Sequence, residues 1–452
     1  MVIIVIGAGK VGFRVARQLV QESHDVVLID IDPQRLEPAR EVLDVMAIHG
    51  NGAAPKVLEQ AGVRNAEMVI AVTGRDEVNI LACLAAKHYG VKTTVARVRN
   101  PEYSVGSDAL VKNQLGVDIM IHPERLAARE IVDLLRTPAA TEVRHFADGS
   151  VELLGFKLNS SASALTGKTL EELRLQDCLI VAIDRNGSLL IPRGKTRLEP
   201  GDHIYVLGKM GHFGRSTVMS GILAGRIHAQ IKTITIVGGG EIGFHACQAL
   251  ERLRRDGLSL KLIEKDADRA RWLAESLAYT LVIHGDGTNI DLLDSENIAG
   301  TDAFVAATSH DETNIMAALL ANRLGVRETI IRLEREEYAP VAEATGIYAT
   351  VVPRLIMAST ILKLLQEDKL LDVTFLKQGK ATVLEAMVFD DAPVTRKPLK
   401  WAGFPEHALI GMLIRNGDTI IPRGNDQVMP GDRVVVFSLE EAIPSVRKAL
   451  GL

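Results

Sequence analysis

The feature that most constrains this chain is a pattern that occurs twice. Residues 3–12 read IIVIGAGKVG and residues 234–243 read ITIVGGGEIG. In both stretches an apolar run enters a turn with glycines at the first, third and sixth positions of G-x-G-x-x-G. A turn of this kind opens a dinucleotide-binding βαβ unit. The chain is therefore predicted to contain two such units, the second of which begins in the middle of the sequence.

The match between the two halves continues to the end of each half. Four further pairs of segments occur in the same order: HGNG at 49–52 with HGDG at 284–287, TGRDEVN at 73–79 with TSHDETN at 308–314, IPRG at 191–194 with IPRG at 421–424, and PGD at 200–202 with PGD at 430–432. The spacing between matched segments changes by only a few residues. Ordered matches over this length indicate a tandem duplication.

Each half is predicted to contain a longer and a shorter part. In the longer part, apolar runs such as residues 2–6 and 68–73 alternate with helix-like stretches such as 123–136. This alternation indicates a parallel sheet with helices on both faces. The shorter part has short strands, one helical stretch and a hairpin signal at Asn186-Gly187, which recurs at Asn416-Gly417. The predicted fold class is α/β, with two Rossmann-like doubly wound domains, each followed by a small α+β module.

These patterns give a predicted division of the chain into five segments. They are a first Rossmann-like domain at 1–137, a first small module at 138–210, a linker at 211–230, a second Rossmann-like domain at 231–367 and a second small module at 368–452. Hinges are expected where each large domain meets its small module, near Thr137-Pro138 and Glu367-Asp368.

Composition excludes several classes of function. The chain has 452 residues and a net charge of −5, and aromatic residues make up 4% of it, which gives no reason to expect a nucleic-acid partner. The three cysteines are far apart and suggest neither a disulfide framework nor a zinc site, so we expect a reducing cytosol. No apolar stretch approaches ~18 residues, so the chain is not expected to span a membrane by itself, although it could dock on a protein that does.

The candidate nucleotide site begins at the glycine turn, which lets the backbone approach a pyrophosphate. The second strand ends in an acid in both halves, at Asp30 and at Glu264. A carboxylate there accepts hydrogen bonds from ribose hydroxyls and repels a 2′-phosphate. Arg35 and Arg269 follow these acids and could stack on adenine. The alternatives are a tight turn that binds nothing, a solvated strand end and a surface arginine.

Further candidates follow the third and fourth strands. Glycines after the third strand permit close approach to an adenosine, and the neighbouring histidines, His49 and His284, are not assigned a catalytic role. Thr73, Asp76 and Asn79 follow the fourth strand, where they either line the nucleotide crevice or cap the next helix. No catalytic motif or metal-ligand cluster is found, and no separate substrate domain follows either Rossmann-like unit. A duplicated nicotinamide-dependent oxidoreductase is therefore only the alternative hypothesis.

The order GAGKVG, LIDID, HGNG, TGRDEVN and VARVRNPEY, followed by a small IPRG–PGD module, resembles the TrkA family of Trk-type potassium uptake regulators. Its units are called RCK or KTN domains. The resemblance implies a cytosolic, non-enzymatic subunit that binds NAD(H), ATP or ADP. It also implies a homotetrameric ring of eight Rossmann units, which docks under a membrane potassium-translocating subunit and gates it. A nucleotide-binding regulator of another transporter or channel is the second alternative.

Motifs and resemblance together give the candidate nucleotide-binding residues. In the first half they are Gly7, Gly9, Lys10, Val11, Gly12, Asp30, Arg35, Gly50, Asn51, Thr73, Asp76, Asn79 and Arg97. In the second half they are Gly238, Gly240, Glu241, Gly243, Glu264, Arg269, Gly285, Asp286, Thr308, Asp311, Asn314 and Arg332.

The two glycine turns differ in charge, with Lys10 in the first and Glu241 in the second. If these side chains face the phosphates rather than point away, the first site should prefer a more highly phosphorylated ligand. The second site should then prefer a less charged nucleotide or stay empty.

Overall fold

The computed structural model describes residues 1–21, 24–104, 115–158, 165–175, 178–211, 231–253, 257–364, 370–376 and 380–452. The helices are α1 Lys10–Gln21, α2 Pro33–Val42, α3 Pro55–Gln60, α4 Asp76–His88, α5 Pro123–Arg136, α6 Leu170–Leu173, α7 Glu241–Leu253, α8 Ala267–Ser276, α9 Ile290–Ser295, α10 Asp311–Arg323, α11 Ala339–Ala344, α12 Pro353–Lys363 and α13 Ile443–Leu450.

Strands β1 to β11 belong to the first half: β1 Val2–Ile6, β2 Asp25–Asp30, β3 Val45–His49, β4 Met68–Ala71, β5 Thr93–Arg97, β6 Ile119–Ile121, β7 Glu142–Phe146, β8 Val151–Lys157, β9 Cys178–Arg185, β10 Ser188–Leu190 and β11 His203–Lys209. Strands β12 to β22 belong to the second: β12 Thr233–Val237, β13 Ser259–Glu264, β14 Thr280–His284, β15 Ala303–Ala306, β16 Glu328–Arg332, β17 Ala349–Val351, β18 Leu370–Leu376, β19 Ala381–Met387, β20 Ala408–Arg415, β21 Asp418–Ile420 and β22 Arg433–Leu439.

The chain folds into two compact units. The first consists of Met1–Ala127 together with Val352–Leu364. Its sheet has the order β3-β2-β1-β4-β5-β6, and all of its strand pairs are parallel. The strand order reverses between β1 and β4, which opens a crevice at the carboxyl ends of these strands. Helix α12 comes from the second half of the sequence but packs against α1 in this unit.

The second unit consists of Ala128–Val351 and Leu365–Leu452. It contains a six-stranded parallel sheet with the order β14-β13-β12-β15-β16-β17, which repeats the order of the first. The prediction of two doubly wound Rossmann-like sheets is therefore confirmed. The central strands are predominantly apolar because both faces of each sheet are buried.

Both small modules lie in the second unit, and they also repeat one another. The first has the antiparallel order β7-β8-β11-β9-β10, and the second has the equivalent order β18-β19-β22-β20-β21. The predicted hairpins are confirmed, with Asn186 and Asn416 in the left-handed conformation that a type I′ turn needs. The edge strands β7 and β18 were not predicted.

The two modules share one apolar core. This core contains Phe146, Tyr205, Met412 and Phe437, so side chains of both modules contribute to it. The rings of Tyr205 and Phe437 lie with their centroids 6.2 Å apart. Since each module alone is small, joining the two cores buries apolar surface that neither could bury by itself.

The repeated PGD turns hold an ion pair with a buried aspartate in each module. Both oxygens of Asp202 accept hydrogen bonds from the Arg185 guanidinium, at 2.8 and 2.9 Å. Asp432 and Arg415 repeat this arrangement, with both distances at 2.7 Å. Each aspartate is 1% exposed, so removal of its arginine partner would leave a buried carboxylate that accepts, among the described residues, only from a backbone amide, that of Glu199 or of Met429.

The five-segment division of the chain stays a prediction. Residues 212–230 of the proposed linker, and the proposed hinge at Glu367-Asp368, lie outside the described residues. The other proposed hinge, at Thr137-Pro138, follows directly after the last residue of α5. Within the described ranges, every helix is too short or too polar to cross a membrane.

Candidate nucleotide-binding sites

A cavity of about 910 Å³ lies at the carboxyl end of the first parallel sheet, at the point where the strand order reverses. Ten of the predicted residues line it: Gly7, Gly9, Lys10, Val11, Asp30, Arg35, Gly50, Asn51, Thr73 and Arg97. Gly12, Asp76 and Asn79 are not among its lining residues. The sequence therefore brings most of its candidate residues to one place, and the volume is in the range of known small-molecule sites.

The glycines of the first turn have three different roles. Gly7 has a φ of +105°, and a Cβ there would lie 3.0 Å from the backbone nitrogen of Thr73. A Cβ on Gly12 would lie 1.7 Å from the Gly7 carbonyl oxygen, so only glycine lets α1 start this close to the strand. A Cβ on Gly9 would meet no atom within 4 Å. Gly7 and Gly12 thus shape the turn, while Gly9 leaves space where a ligand can approach.

Asp30 is buried at the end of β2 and braces this turn. One of its carboxylate oxygens accepts a hydrogen bond from the Ala8 amide at 2.6 Å, and the other accepts from the Asp32 amide at 2.8 Å. A carboxylate oxygen can accept two hydrogen bonds, so both oxygens can still accept from a ribose hydroxyl. Asp30 therefore has a structural role that is compatible with its predicted ligand role.

Asn79 and Asp76 support the cavity from outside. Asn79 is fully buried, accepts hydrogen bonds from the Thr73 amide and hydroxyl, and donates to the Arg97 carbonyl at 2.8 Å. Asp76 accepts from the amides of Arg99 and Asn100, both at 2.8 Å, and so does not cap its own helix. These bonds join the ends of β4 and β5, and they fix the backbone that presents Thr73, Arg97 and Arg99.

Positive charge dominates the lining of the cavity. Six described basic residues line it: Lys10, Arg35, Arg75, Arg97, Arg99 and Arg354. Among the described lining residues, Asp30 is the single acid. Such an excess of cations favours an anionic ligand such as a polyphosphate.

Three of these basic residues were missed from the sequence. Arg75 and Arg99 lie within the motifs TGRDEVN and VARVRNPEY, so their position beside predicted ligands was the available signal. Arg354 comes from the second half of the chain, and no local pattern shows that it reaches the first cavity.

The second glycine turn, in the second unit, has the same backbone design. Gly238 has a φ of +99°, and a Cβ on Gly243 would lie 2.0 Å from the Gly238 carbonyl oxygen, whereas one on Gly240 would meet nothing within 4 Å. Glu264 accepts from the Gly239 amide at 2.6 Å and from the Asp266 amide at 2.8 Å, as Asp30 does in the first turn. Both halves therefore share the glycine turn and the carboxylate that accepts hydrogen bonds from its backbone.

The side chains around the second turn differ, because Arg269 contacts an acid inside the glycine turn, whereas Arg35 in the first half lies 3.4 Å from Asp32. Arg269 donates from Nε to the Gly239 carbonyl at 2.8 Å and from Nη2 to Glu241 at 3.2 Å. Its guanidinium also lies 4.3 Å from the Trp272 ring centroid. Arg269 therefore packs on one of the protein's own aromatic rings, and its stacking on adenine stays a prediction.

Arg332 is paired in a similar way. It donates to Glu334 and to the Ser309 carbonyl, the latter at 3.1 Å, and its Nη1 lies 3.9 Å from Asp311. Asp311 accepts from the amides of Glu334 and Arg335, which repeats the role of Asp76 in the first half. Asn314 likewise bonds Thr308 and the Arg332 carbonyl.

Asp286 completes the acidic set of the second site. It pairs with Lys265 at 2.9 Å, and the hydrogen bond from Lys265 lowers the pKa of Asp286 to about 2. In the first half, its position is taken by Asn51, whose side-chain oxygen accepts from the Ala53 amide at 3.0 Å. The neighbouring Gly285 contacts Leu292 of α9 closely, since a Cβ there would lie 2.4 Å from that side chain.

Three matched positions differ in charge between the two sites. Lys10, Arg99 and Asn51 stand in the first half where Glu241, Glu334 and Asp286 stand in the second. The first set carries two positive charges and the second carries three negative charges, a difference of five. The two histidines differ much less, because His49 and His284 both contact backbone carbonyls of the loop after the second strand, at 3.0 and 3.2 Å.

Fold and site define a class of protein: a tandem of Rossmann-type domains with glycine-turn sites, each followed by a small β-rich module. The sequence matches the TrkA-N domain at residues 3–123 and 234–353, and the TrkA-C domain at residues 155–215 and 383–451. The chain belongs to the TrkA family of Trk-system potassium uptake proteins.

Individual relatives agree with this assignment over nearly the whole chain. A Trk system potassium uptake protein TrkA homolog of Methanosarcina mazei is 37% identical, with 98% of this chain and 99% of the relative covered. TrkA of Haemophilus influenzae is 33% identical, with 99% of this chain and 98% of the relative covered.

Solved structures show the same fold at lower identity. The GsuK channel bound to NAD and the GsuK RCK domain both match with a TM-score of 0.58 and 19% identity over 99% of this chain. The match covers 78% of the first of these chains and 94% of the second.

Proposed function

We propose that this chain is the cytosolic, nucleotide-binding regulatory subunit of a membrane potassium uptake system, which it gates in response to NAD(H), ATP or ADP. The observation that carries the proposal is the cationic cavity at the switch point of the first sheet. It coincides with the glycine turn, and it belongs to a chain whose full-length relatives are named as Trk potassium uptake proteins. One neighbour of the same fold is described as bound to NAD, which places NAD(H) among the ligands to test.

The two sites are proposed to differ in the ligand they take. In the first site, Lys10, Arg97 and Arg99 face the space where phosphates would lie next to the start of α1. In the second site, Glu241 and Glu334 neutralise the arginines at the equivalent place. We expect ATP or ADP to favour the first site, while the second takes a less charged nucleotide or none.

The bound nucleotide is proposed to act as a ligand and not as a substrate. A nucleotide can shift the protein between two conformations only if it binds them with different affinity. We place the moving joint near Thr137-Pro138, between the first Rossmann-like domain and its small module. Scattering profiles of the purified protein should therefore change between ATP, ADP and NADH, whereas superimposable profiles would argue against a nucleotide-driven shape change. The absorbance of NADH at 340 nm should stay constant.

Assembly is the next part of the proposal. Four chains would supply eight Rossmann units, enough for a closed ring, and a closed ring leaves no unpaired heterologous surface. This ring would dock on the cytosolic face of a potassium-translocating subunit. Light scattering should give the mass of a tetramer, and a stable monomer at micromolar concentration would contradict this part.

The test of function is potassium flux into vesicles that contain the Trk-type translocating subunit, with and without this chain. Flux should depend on the chain and should differ between ATP, ADP and NADH. The variant Lys10→Glu should lose the ATP response. The control Lys92→Glu makes the same charge reversal next to the amino end of β5, at the opposite edge of the sheet, and should keep the response. Flux that is indifferent to the chain under every nucleotide condition would refute the proposed function.

A further inference from the structure

We propose that Arg354 is a phosphate-binding residue of the first nucleotide site, supplied to that site by the second half of the chain. The inference rests on the proposed function, because it assumes that the first cavity holds a nucleotide polyphosphate. It adds a ligand that neither the motifs of the first half nor its family resemblance contain. It also identifies the helix through which the second half of the chain would respond to that nucleotide.

The path of the chain brings Arg354 to the first cavity. Strand β17 ends at Val351 in the second unit, and the chain then belongs to the first unit from Val352 to Leu364. Helix α12 begins at Pro353, a residue suited to the first position of a helix. Arg354 follows as the second residue of α12 and lines the cavity together with Lys10, the first residue of α1.

Packing explains why the arginine reaches this place. Helix α12 packs against α1, the helix that begins at the glycine turn. Four of the α12 side chains, Met357, Ala358, Ile361 and Leu362, are buried, so the helix is held by an apolar face. This apolar contact orients α12, and it places Arg354 at the wall of the cavity.

Helix stability does not explain an arginine at this position. The positive end of the helix dipole lies in the first turn, where an anion is favourable and a cation is unfavourable. The matched position of the first half has the favourable residue, Glu124, in the first turn of α5. Burial raises the pKa of Glu124, and the nearby charges of Arg97 and Arg99 act against that shift. The second half instead places a cation in its first turn, and this cation lines a cavity that is already positive.

Phosphate is the ligand chemistry that makes this arrangement favourable. Guanidinium and ammonium groups that line one cavity repel one another, and a polyphosphate bound between them would offset this repulsion. A polyphosphate would contact Lys10 at the start of α1 and Arg354 at the start of α12, and would so join the two helices. Occupancy of the first site would then stabilise α12, whose chain continues beyond Leu364 into the second small module.

The test is hydrogen–deuterium exchange of the full-length protein with ATP as the probe. Wild-type protein should show slower exchange on ATP binding both at the glycine turn, residues 7–12, and in α12, residues 353–363. The variant Arg354→Gln should bind ATP about tenfold or more weakly, as expected for loss of one charge-assisted hydrogen bond. At saturating ATP it should keep the slower exchange at 7–12 and lose the slower exchange at 353–363.

Two further variants separate the role of the charge from a general effect on the helix. Arg354→Lys keeps the positive charge and should retain most of the affinity. Lys363→Gln removes the same charge at the other end of α12, ~13 Å away along the helix axis, and should leave ATP affinity unchanged.

The possible outcomes distinguish this inference from the proposed function. If ATP slows exchange at 7–12 in wild-type protein but leaves 353–363 unchanged, or if Arg354→Gln binds ATP as tightly as wild type, the role of Arg354 is refuted and the nucleotide site stands. If ATP, ADP and NADH all leave residues 7–12 unchanged, the proposed nucleotide site itself is wrong, and the inference is overturned with it.

Discussion

Reversal of charge at Lys10 should remove most of the ATP affinity of the first site. Lys10 lines the cavity at the start of α1, where an anionic phosphate also meets the helix dipole. At ~6 Å and an effective dielectric constant of ~20, one unit charge interacts with another by about 2.8 kcal/mol. A Debye length of ~8 Å at physiological salt reduces this to ~1.3 kcal/mol. Lys10→Glu changes the charge by two units, so we expect a loss of ~2.6 kcal/mol, which is about 80-fold in Kd.

The second half of the chain shows a further consequence of this substitution. There, Glu241 holds Arg269 at 3.2 Å. A carboxylate introduced at position 10 would take the matched position of Glu241, and we expect it to compete with Asp32, which lies 3.4 Å from Arg35, and to draw that arginine away from the ligand. The 80-fold estimate is therefore a lower bound. The converse variant, Glu241→Lys, should release Arg269 and create or tighten a second ATP site.

Isothermal titration calorimetry with ATP provides the assay, at 0.15 M and at 0.5 M salt. Lys10→Gln changes the charge by one unit and should cost about tenfold, half of the effect of Lys10→Glu on the free-energy scale. The control Lys92→Glu should bind ATP as wild type does. Higher salt should reduce the difference between wild type and Lys10→Glu, because screening weakens the charge interaction. Wild-type affinity in Lys10→Glu, or an effect as large in Lys92→Glu, would refute the reasoning.

Four other predictions follow from the described contacts. Gly12→Ala should destabilise the first unit, because its Cβ would lie 1.7 Å from the Gly7 carbonyl oxygen, whereas Gly9→Ala should fold normally; equal melting temperatures would contradict this. Arg415→Met should lower the free energy of unfolding by about 1–3 kcal/mol by removing the ionic partner of the buried Asp432, and a change below ~0.5 kcal/mol in denaturant unfolding would count against the ion pair. NADPH should bind more weakly than NADH because the Asp30 carboxylate repels a 2′-phosphate, and equal affinities would remove the ribose assignment. The three buried cysteines should not react with a thiol reagent at pH 8 until the protein unfolds, since burial raises the pKa of two of the thiols; rapid labelling of folded protein would show that the sites open.

Much of the fold could be predicted because the sequence carries it twice. The apolar runs of the parallel strands and the glycine turns are local signals, and the repeat extends what the first half shows to the second. The edge strand β7 was missed because EVRHF mixes polar and apolar residues and lies directly after a helix. A strand of this kind forms through its pairing with β8 and not through its own periodicity.

The candidate sites were harder to predict, because a residue type does not show which partner a side chain chooses. Asn79 lies after a strand, where a nucleotide-binding residue is expected, but its side chain forms hydrogen bonds with Thr73 and with the Arg97 carbonyl. Arg269 matches Arg35 in sequence, yet it is paired with Glu241, whereas Arg35 is paired with Asp32. Arg354 could not be assigned to the first site, since only the packing of α12 on α1 brings it there. The opposite charges of Lys10 and Glu241 at matched positions were the one signal in the sequence that the two sites differ.

The number of ATP molecules bound per wild-type chain tests the central claim most directly. Calorimetric titration of the full-length protein with ATP should give one strong site per chain, with any second site weaker by at least tenfold. Such a result would match a first cavity lined by Lys10, Arg97 and Arg99, and a second site in which Glu241 and Glu334 pair with the arginines. Two equivalent ATP sites per chain, unchanged by Glu241→Lys, would contradict the account, as would the absence of any ATP binding.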